Sequence, residues 1–382
     1  MTRPAVDVVV VGGGVIGCAV ARHAALGGLS VCVVERGQPG AEASHAAAGM
    51  LSPLAEASHP GPFLDLLLRA REVFPEMADA LREETGADVG YNDAGTLYLS
   101  LREADDAELE ERFAWQSAAG LPVERLSGDE VRAMEPAVSP SVRSALRFPG
   151  DHQVENRILA RALWAAAARA GAGFRLGADA VALLRDGDRV AGVELSGGER
   201  IAARQVVIAG GCWAGHLAGL PRPVPVEPVL GQLLALESIP PIFRHVVDSP
   251  RCYVVPRSDG RLIVGATVEH AGFRKSVTPA GLRMLIDGAM EVAPSLSSAP
   301  VAETWAGLRP GTPDGQPILG RDPDVDGLVY ATGHFRNGIL LAPLTGQLIG
   351  DMLLGRAPST DLAPFGISRF GAAHGPDPAS IA

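Results

Sequence analysis

Two places in the chain carry residues whose types and spacing could do chemistry. Gly12, Gly14 and Gly17 form a GxGxxG pattern between an apolar β-branched run (residues 8–11) and a stretch of helical composition. In that setting Gly12 permits a tight turn, Gly14 lets the backbone approach a pyrophosphate, and Gly17 lets helix pack on strand. The helix start (Val15, Ile16) then offers N–H groups and a positive dipole end to phosphates. Glu35 ends the next apolar run, where a carboxylate accepts hydrogen bonds from ribose hydroxyls. The pattern predicts a bound dinucleotide and leaves FAD and NAD open. The second place is "TWAGLRPGTPDGQPILG", residues 304–320. Arg309 precedes Pro310, which biases it to an extended backbone. It is either a surface arginine paired with Asp314 in the following turn or an anchor for an anionic substrate.

The elements around these residues follow from periodicity. Residues 8–11 and 30–35 read as buried strands flanking a helix, a βαβ unit. A single amphipathic helix is expected over 63–85, a strand over 95–101, an acidic solvated helix over 103–119 and a short one over 129–134. An alanine-rich helix over 158–170 leads to a strand–turn–strand around Asp186-Gly187-Asp188, and 205–211 reads as another buried strand. "RCYVVPRSDGRLIVGATVE" has the form of a hairpin turning at Ser258-Asp259-Gly260. A last strand–glycine–helix unit runs from Gly327. Strand–glycine–helix units at the start, middle and end predict one α/β, Rossmann-like domain assembled from residues 1–85, 147–222 and 308–366. A mainly antiparallel α+β domain (86–146 and 223–307) is inserted in it, and 367–382 are expected to be a loose tail.

Bulk properties narrow the function. The chain has 382 residues, enough for two domains, and 33 − 44 gives a net charge of −11. That excess of acid argues against nucleic acid as a main partner. Cys18, Cys32, Cys212 and Cys252 make no CxxC pair and no metal-like cluster, so a reduced, cytoplasmic chain without a metal is expected. The longest uncharged run near the C-terminus, 338–350, is too short to span a bilayer, and no membrane partner is expected.

The segment 41–53, "AEASHAAAGMLSP", reads on composition as an alanine-rich helix start or as a loop lying along a flat cofactor. Together with Glu35-Arg36, "CYVVPR…GRLIVGAT", "WAGLRPGTPDG" and "GHFRNGILLAP", it resembles the FAD-dependent D-amino-acid oxidase family, and within it the glycine oxidases, over roughly residues 7–354. The resemblance implies a FAD-binding domain of the glutathione-reductase type and non-covalent FAD, since no cysteine follows Cys252. It implies cofactor contacts at Gly12, Gly14, Val15, Ile16, Gly17, Glu35, Arg36, Ala43, Ser44, Ala48, Gly49, Met50, Val181 and Gly210. A second set covers His334, Phe335, Arg336, Asn337, Gly338, Ile339 and Leu340. Arg309 would clamp the substrate carboxylate bidentately, with Tyr253, Arg336 and Met50 beside it, and Val268 on the same side.

The implied reaction is oxidation of glycine, sarcosine, D-alanine or D-proline to an imine by hydride transfer to flavin N5. Reoxidation by O2 gives H2O2, and the imine or glyoxylate product would feed thiazole synthesis for thiamine. No side chain is assigned as acid or base, and His334 is read as a cofactor-shell residue. The resemblance also implies a homo-oligomer, commonly a tetramer. Rival readings are a D-amino-acid dehydrogenase, a sarcosine-oxidase-like flavoenzyme, or a flavin-binding subunit of a larger complex.

Overall fold

A computed structural model describes residues 6–371. The valine-rich run Val6–Val11 is hydrogen-bonded on both sides, parallel to Val31–Glu35 and to Arg200–Ile208, so Val10 lies between Val33 and Val207. Burial on both faces explains why residues 8–10, 33–34 and 206–208 of these strands are all valine or isoleucine. The sheet continues through Gly173–Leu176 on one side and Leu328–Thr332 and Ile318–Arg321 on the other. The hairpin Ala180–Asp186 and Arg189–Leu195 branches from it. Helices Val15–Leu26 and Gly338–Leu353 pack against the sheet, and Asn156–Arg169 packs on the first of them. Val15–Leu26 and Gly338–Leu353 approach so closely that a Cβ on Gly346 would lie 2.9 Å from Ala19.

The second sheet has eight strands in the order Val301–Gly311, Glu227–Glu237, Arg261–Gly265, Tyr253–Pro256, Val246–Asp248, Thr96–Ser100, Ser144–Phe148 and Glu124–Ser127. It is antiparallel except where Val246–Asp248 runs parallel to Thr96–Ser100. Its edge strand Val301–Gly311 holds Pro310, a position where a missing N–H is tolerated. That strand carries the second sheet through residue 308, so the expected domain boundary there falls inside a strand.

Two further expectations need correction. The helix expected over 63–85 is two helices, Pro62–Glu72 and Phe74–Thr85, because Pro75 has no N–H to continue the first and suits the opening turn of the second. The tail expected to be loose from 367 begins with a 3₁₀ turn, Ile367–Phe370, in which Ile367 is buried and Arg369 pairs with Asp314 at 2.7 Å. Asp314 therefore partners Arg369 and not Arg309. The remainder of that tail, 372–382, lies outside the described residues.

Candidate active site

The first GxGxxG glycine has φ +107°, and a Cβ there would lie 2.4 Å from the Ala209 carbonyl oxygen, so no other residue fits. A Cβ on Gly17 would lie 1.9 Å from the Gly12 carbonyl oxygen, which is the close helix–strand contact this glycine permits. Glu35 accepts from the backbone N–H of Gly13 at 2.7 Å and of Gly37 at 2.8 Å, fixing its carboxylate at the strand end. Arg36 lies 3.5 Å above the Trp213 ring centroid and pairs with Glu42 at 3.2 Å. Val181 and Gly210 complete this end of the cleft.

The segment 43–50 crosses from this end to the middle of the cleft, held by its backbone from outside. Asn156 donates from Nδ2 to the Ser44 and His45 carbonyls (2.8 and 3.1 Å), and Trp305 Nε1 donates to the Ala46 carbonyl at 3.0 Å. Arg257 is buried behind it and donates to the carbonyls of Ala48 (2.6 Å) and Val154 (2.7 Å). Gly49 has φ +73° and no room for a Cβ, which would meet the Val154 carbonyl oxygen at 2.0 Å. Ser44 Oγ accepts from the Val15 N–H at 3.1 Å, at the start of the fingerprint helix. Small side chains on a tethered backbone leave a flat wall.

At the far end, Arg309 projects from Val301–Gly311 and donates from Nη1 to the Thr267 carbonyl at 3.1 Å. Its guanidinium lies over Gly231 on the neighbouring strand, where a Cβ would fall 2.5 Å from both Nη atoms. Tyr253 lies across Gly265 in the same manner, with its hydroxyl 2.4 Å from where a Cβ would be. Two glycines thus clear lanes across the sheet for the two side chains. Burial pulls the Arg309 guanidinium below its ordinary value, and an arginine so shifted stays charged at neutral pH. Burial pushes the Tyr253 phenol up, partly opposed by Arg309, so it remains an O–H donor. Arg336 pairs with Glu56 at 2.9 Å beside them, and Met50 and Val268 add apolar wall.

Residues 333–339 bridge the two ends. Phe335 takes φ +46° and its N–H donates to the Pro310 carbonyl at 3.0 Å. Helix Gly338–Leu353 then starts at the cavity wall, so its positive dipole end faces inward. His334 is buried, shares a hydrogen bond with Thr345 at 3.1 Å, and is held neutral by burial, with its pKa lowered to about 3. Two residues expected at the cofactor do not line the cavity. Gly17 serves packing, and Leu340 is buried in the core two residues past the helix start.

All remaining expected residues line one continuous cavity of about 670 Å³. It runs from the glycine fingerprint to Arg309, and its long, flat first half is a cradle for a dinucleotide. Sequence reasoning missed Gly231 and Gly265, whose role needs the strand register, and the tethers Asn156, Arg257 and Trp305. It also missed Glu56 and Asp248, which line the cavity near Arg336. Among the described residues there is no group of His, Cys, Asp and Glu that could hold a metal ion, and no helix long and apolar enough to cross a membrane.

A glycine-rich βαβ unit, a tethered small-residue wall and a carboxylate-sized cationic end define a dinucleotide-dependent redox enzyme. The chain belongs to the FAD-dependent oxidoreductase family, whose model matches residues 7–352. It is 37% identical to a glycine oxidase of Geobacillus kaustophilus, over 95% of this chain and 97% of that protein. A crystal structure of glycine oxidase from the same organism superposes with a TM-score of 0.92, covering 95% of this chain and 98% of that one. It is also 39% identical to a bifunctional protein ThiO/ThiG of Trichormus variabilis, over 97% of this chain and 55% of that protein. FAD is its cofactor, and the open choice between FAD and NAD is settled by the family.

Proposed function

We propose that the protein oxidises glycine and other small amino acids, sarcosine, D-alanine and D-proline among them, with O2 as acceptor. The observation that carries this is the half-buried Arg309 beside Tyr253, in the same cavity as the nucleotide cradle. A planar guanidinium held over a glycine offers two parallel N–H donors to a carboxylate, and the Tyr253 hydroxyl adds a third. Fixing the carboxylate at three points orients the α-carbon toward the middle of the cavity, which removes much of the orientational cost of reaction. Met50 and Val268 enclose the small apolar remainder of the substrate, where an added methylene is worth only about 1–3 kcal/mol of discrimination, so overlapping substrates are expected.

FAD, when bound, supplies the two-electron redox chemistry. The substrate loses its α-hydrogen and an amine proton with two electrons, O2 gains them as H2O2, and the imine is hydrolysed by water. The start of helix Gly338–Leu353 lends positive potential to the cavity at the bridging segment. His334, neutral and engaged with Thr345, fits a wall residue and takes no proton. Cys212 and Cys252 line the cavity, but burial pushes both thiols to about 12, so neither is a nucleophile for covalent attachment. The ThiO/ThiG relatives favour a place for the imine or glyoxylate product in thiazole synthesis for thiamine, in the cytoplasm.

The test is peroxide release from the purified FAD-loaded protein with glycine, sarcosine, D-alanine and D-proline. Peroxide with glycine is expected. No peroxide with any of the four, despite bound FAD, overturns the reading.

A further inference from the structure

The end of the cavity beyond Tyr253 is lined by ionisable side chains, and all but one are matched. Glu56 holds Arg336 at 2.9 Å. Glu108 accepts from Tyr98 at 2.7 Å and from Arg112 at 3.4 Å. Arg251 pairs with Asp105 at 3.0 Å. Asp248 is left over. Its Oδ1 accepts only the N–H of the next residue, Ser249, at 2.8 Å, and its Oδ2 takes no hydrogen bond from the described residues. The pairing of Val247 with Val254 sets Asp248 directly across from Tyr253, on the same face of the sheet. The cations whose field reaches it, Arg336 and Arg112, are each already held by another carboxylate. Ser52, in the same cavity wall, is 2% exposed and its hydroxyl has no hydrogen-bond partner.

A carboxyl enclosed by protein without a cation is costly and is ordinarily paired. With Asp248 ionised, Glu56, Arg336 and Asp248 together carry one net negative charge, and the missing partner is a cation delivered through the cavity. We propose that Asp248 makes this end a subsite for an ammonium group on the substrate, extending its range to α-amino acids that carry a second, protonated amine. This rests on the α-carboxylate being held by Arg309 and Tyr253, which leaves the side chain to reach toward Asp248. The reaction is unchanged: the α-amine is oxidised and the second amine stays protonated and intact.

The discriminating pair is D-2,4-diaminobutyrate and D-norvaline, which differ only in an ammonium against a methyl group at the chain end. Peroxide release from the FAD-loaded protein should give a kcat/KM at least about tenfold higher for the diamino acid, and Asp248→Asn should bring the ratio near one. A ratio near one in the wild type, or one unmoved in Asp248→Asn, overturns the subsite. Glycine is measured alongside: no peroxide with glycine marks failure of the oxidase reading. In that event the same pair is compared by its perturbation of the flavin absorbance at equilibrium. Tighter binding of the diamino acid, lost in Asp248→Asn, upholds the subsite, and equal binding overturns it.

Discussion

Gly231→Ala is the most informative single change, because it moves the anchor without touching it. The new Cβ would lie 2.5 Å from Nη1 and Nη2 of Arg309 and 2.6 Å from Cζ, where ordinary contact begins at 3.4 Å. The guanidinium must therefore retreat by 3.4 − 2.5, about 0.9 Å. It is the end of a flexible side chain and Gly231 is not among the positive-φ glycines, so the fold can absorb the change. A misplacement of ~1 Å in a positioning group costs about a hundredfold in rate, which is about 2.7 kcal/mol of transition-state stabilisation. Steady-state peroxide release over a range of glycine concentrations should show kcat/KM down by roughly that factor, with FAD content unaltered. In an Arg309→Ala background the same change should be nearly silent, since two residues acting on one contact are not additive. A Gly231→Ala protein within about threefold of wild type, or one equally damaging without Arg309, would refute the cleared-lane argument.

Three further outcomes follow from the same geometry. Tyr253→Phe removes one hydrogen bond to a charged carboxylate, worth about 1.5–3 kcal/mol, so glycine KM should rise roughly tenfold to a hundredfold with FAD retained; an unchanged KM would make Tyr253 a packing residue. Asp248 is held near 7 by burial against 3.8 when unperturbed. The folded state therefore keeps a proton that the unfolded state has lost, and stability falls as pH rises from about 4 to 7. The Tm advantage of Asp248→Asn over wild type should grow across that window and level off above it, and a flat difference would contradict the assignment. Acid precipitation should leave all the FAD in the supernatant, whereas flavin remaining with the pellet would mean a covalent link.

The parallel core was legible because the stretches buried on both faces, 8–10 and 206–208, are continuous apolar runs with glycines soon after them. Other elements gave weaker signals. Glu227–Glu237 is an apolar run entered through Pro223, Pro225 and Pro228, which reads as loop, and one of its two sheet partners, Val301–Gly311, lies some seventy residues away in sequence. Val246–Asp248 is three residues long, too short for any periodicity, yet it carries Asp248. The site divides along the same line. Gly12, Glu35 and Arg309 stand in local patterns with chemical meaning, whereas Gly231 and Gly265 matter only through what lies across the sheet. Asp248 looks like any acidic loop residue until strand pairing sets it opposite Tyr253. The break at Pro75 is masked in the sequence because the apolar spacing continues through it.

The central claim is that Arg309 holds the substrate carboxylate, and Arg309→Ala tests it most directly. Truncating one partner of an enclosed charge pair costs about 2–5 kcal/mol, so glycine KM should rise about thirtyfold or more while the flavin spectrum and FAD content stay as in the wild type. An unchanged glycine KM in a fully FAD-loaded Arg309→Ala protein would contradict the account.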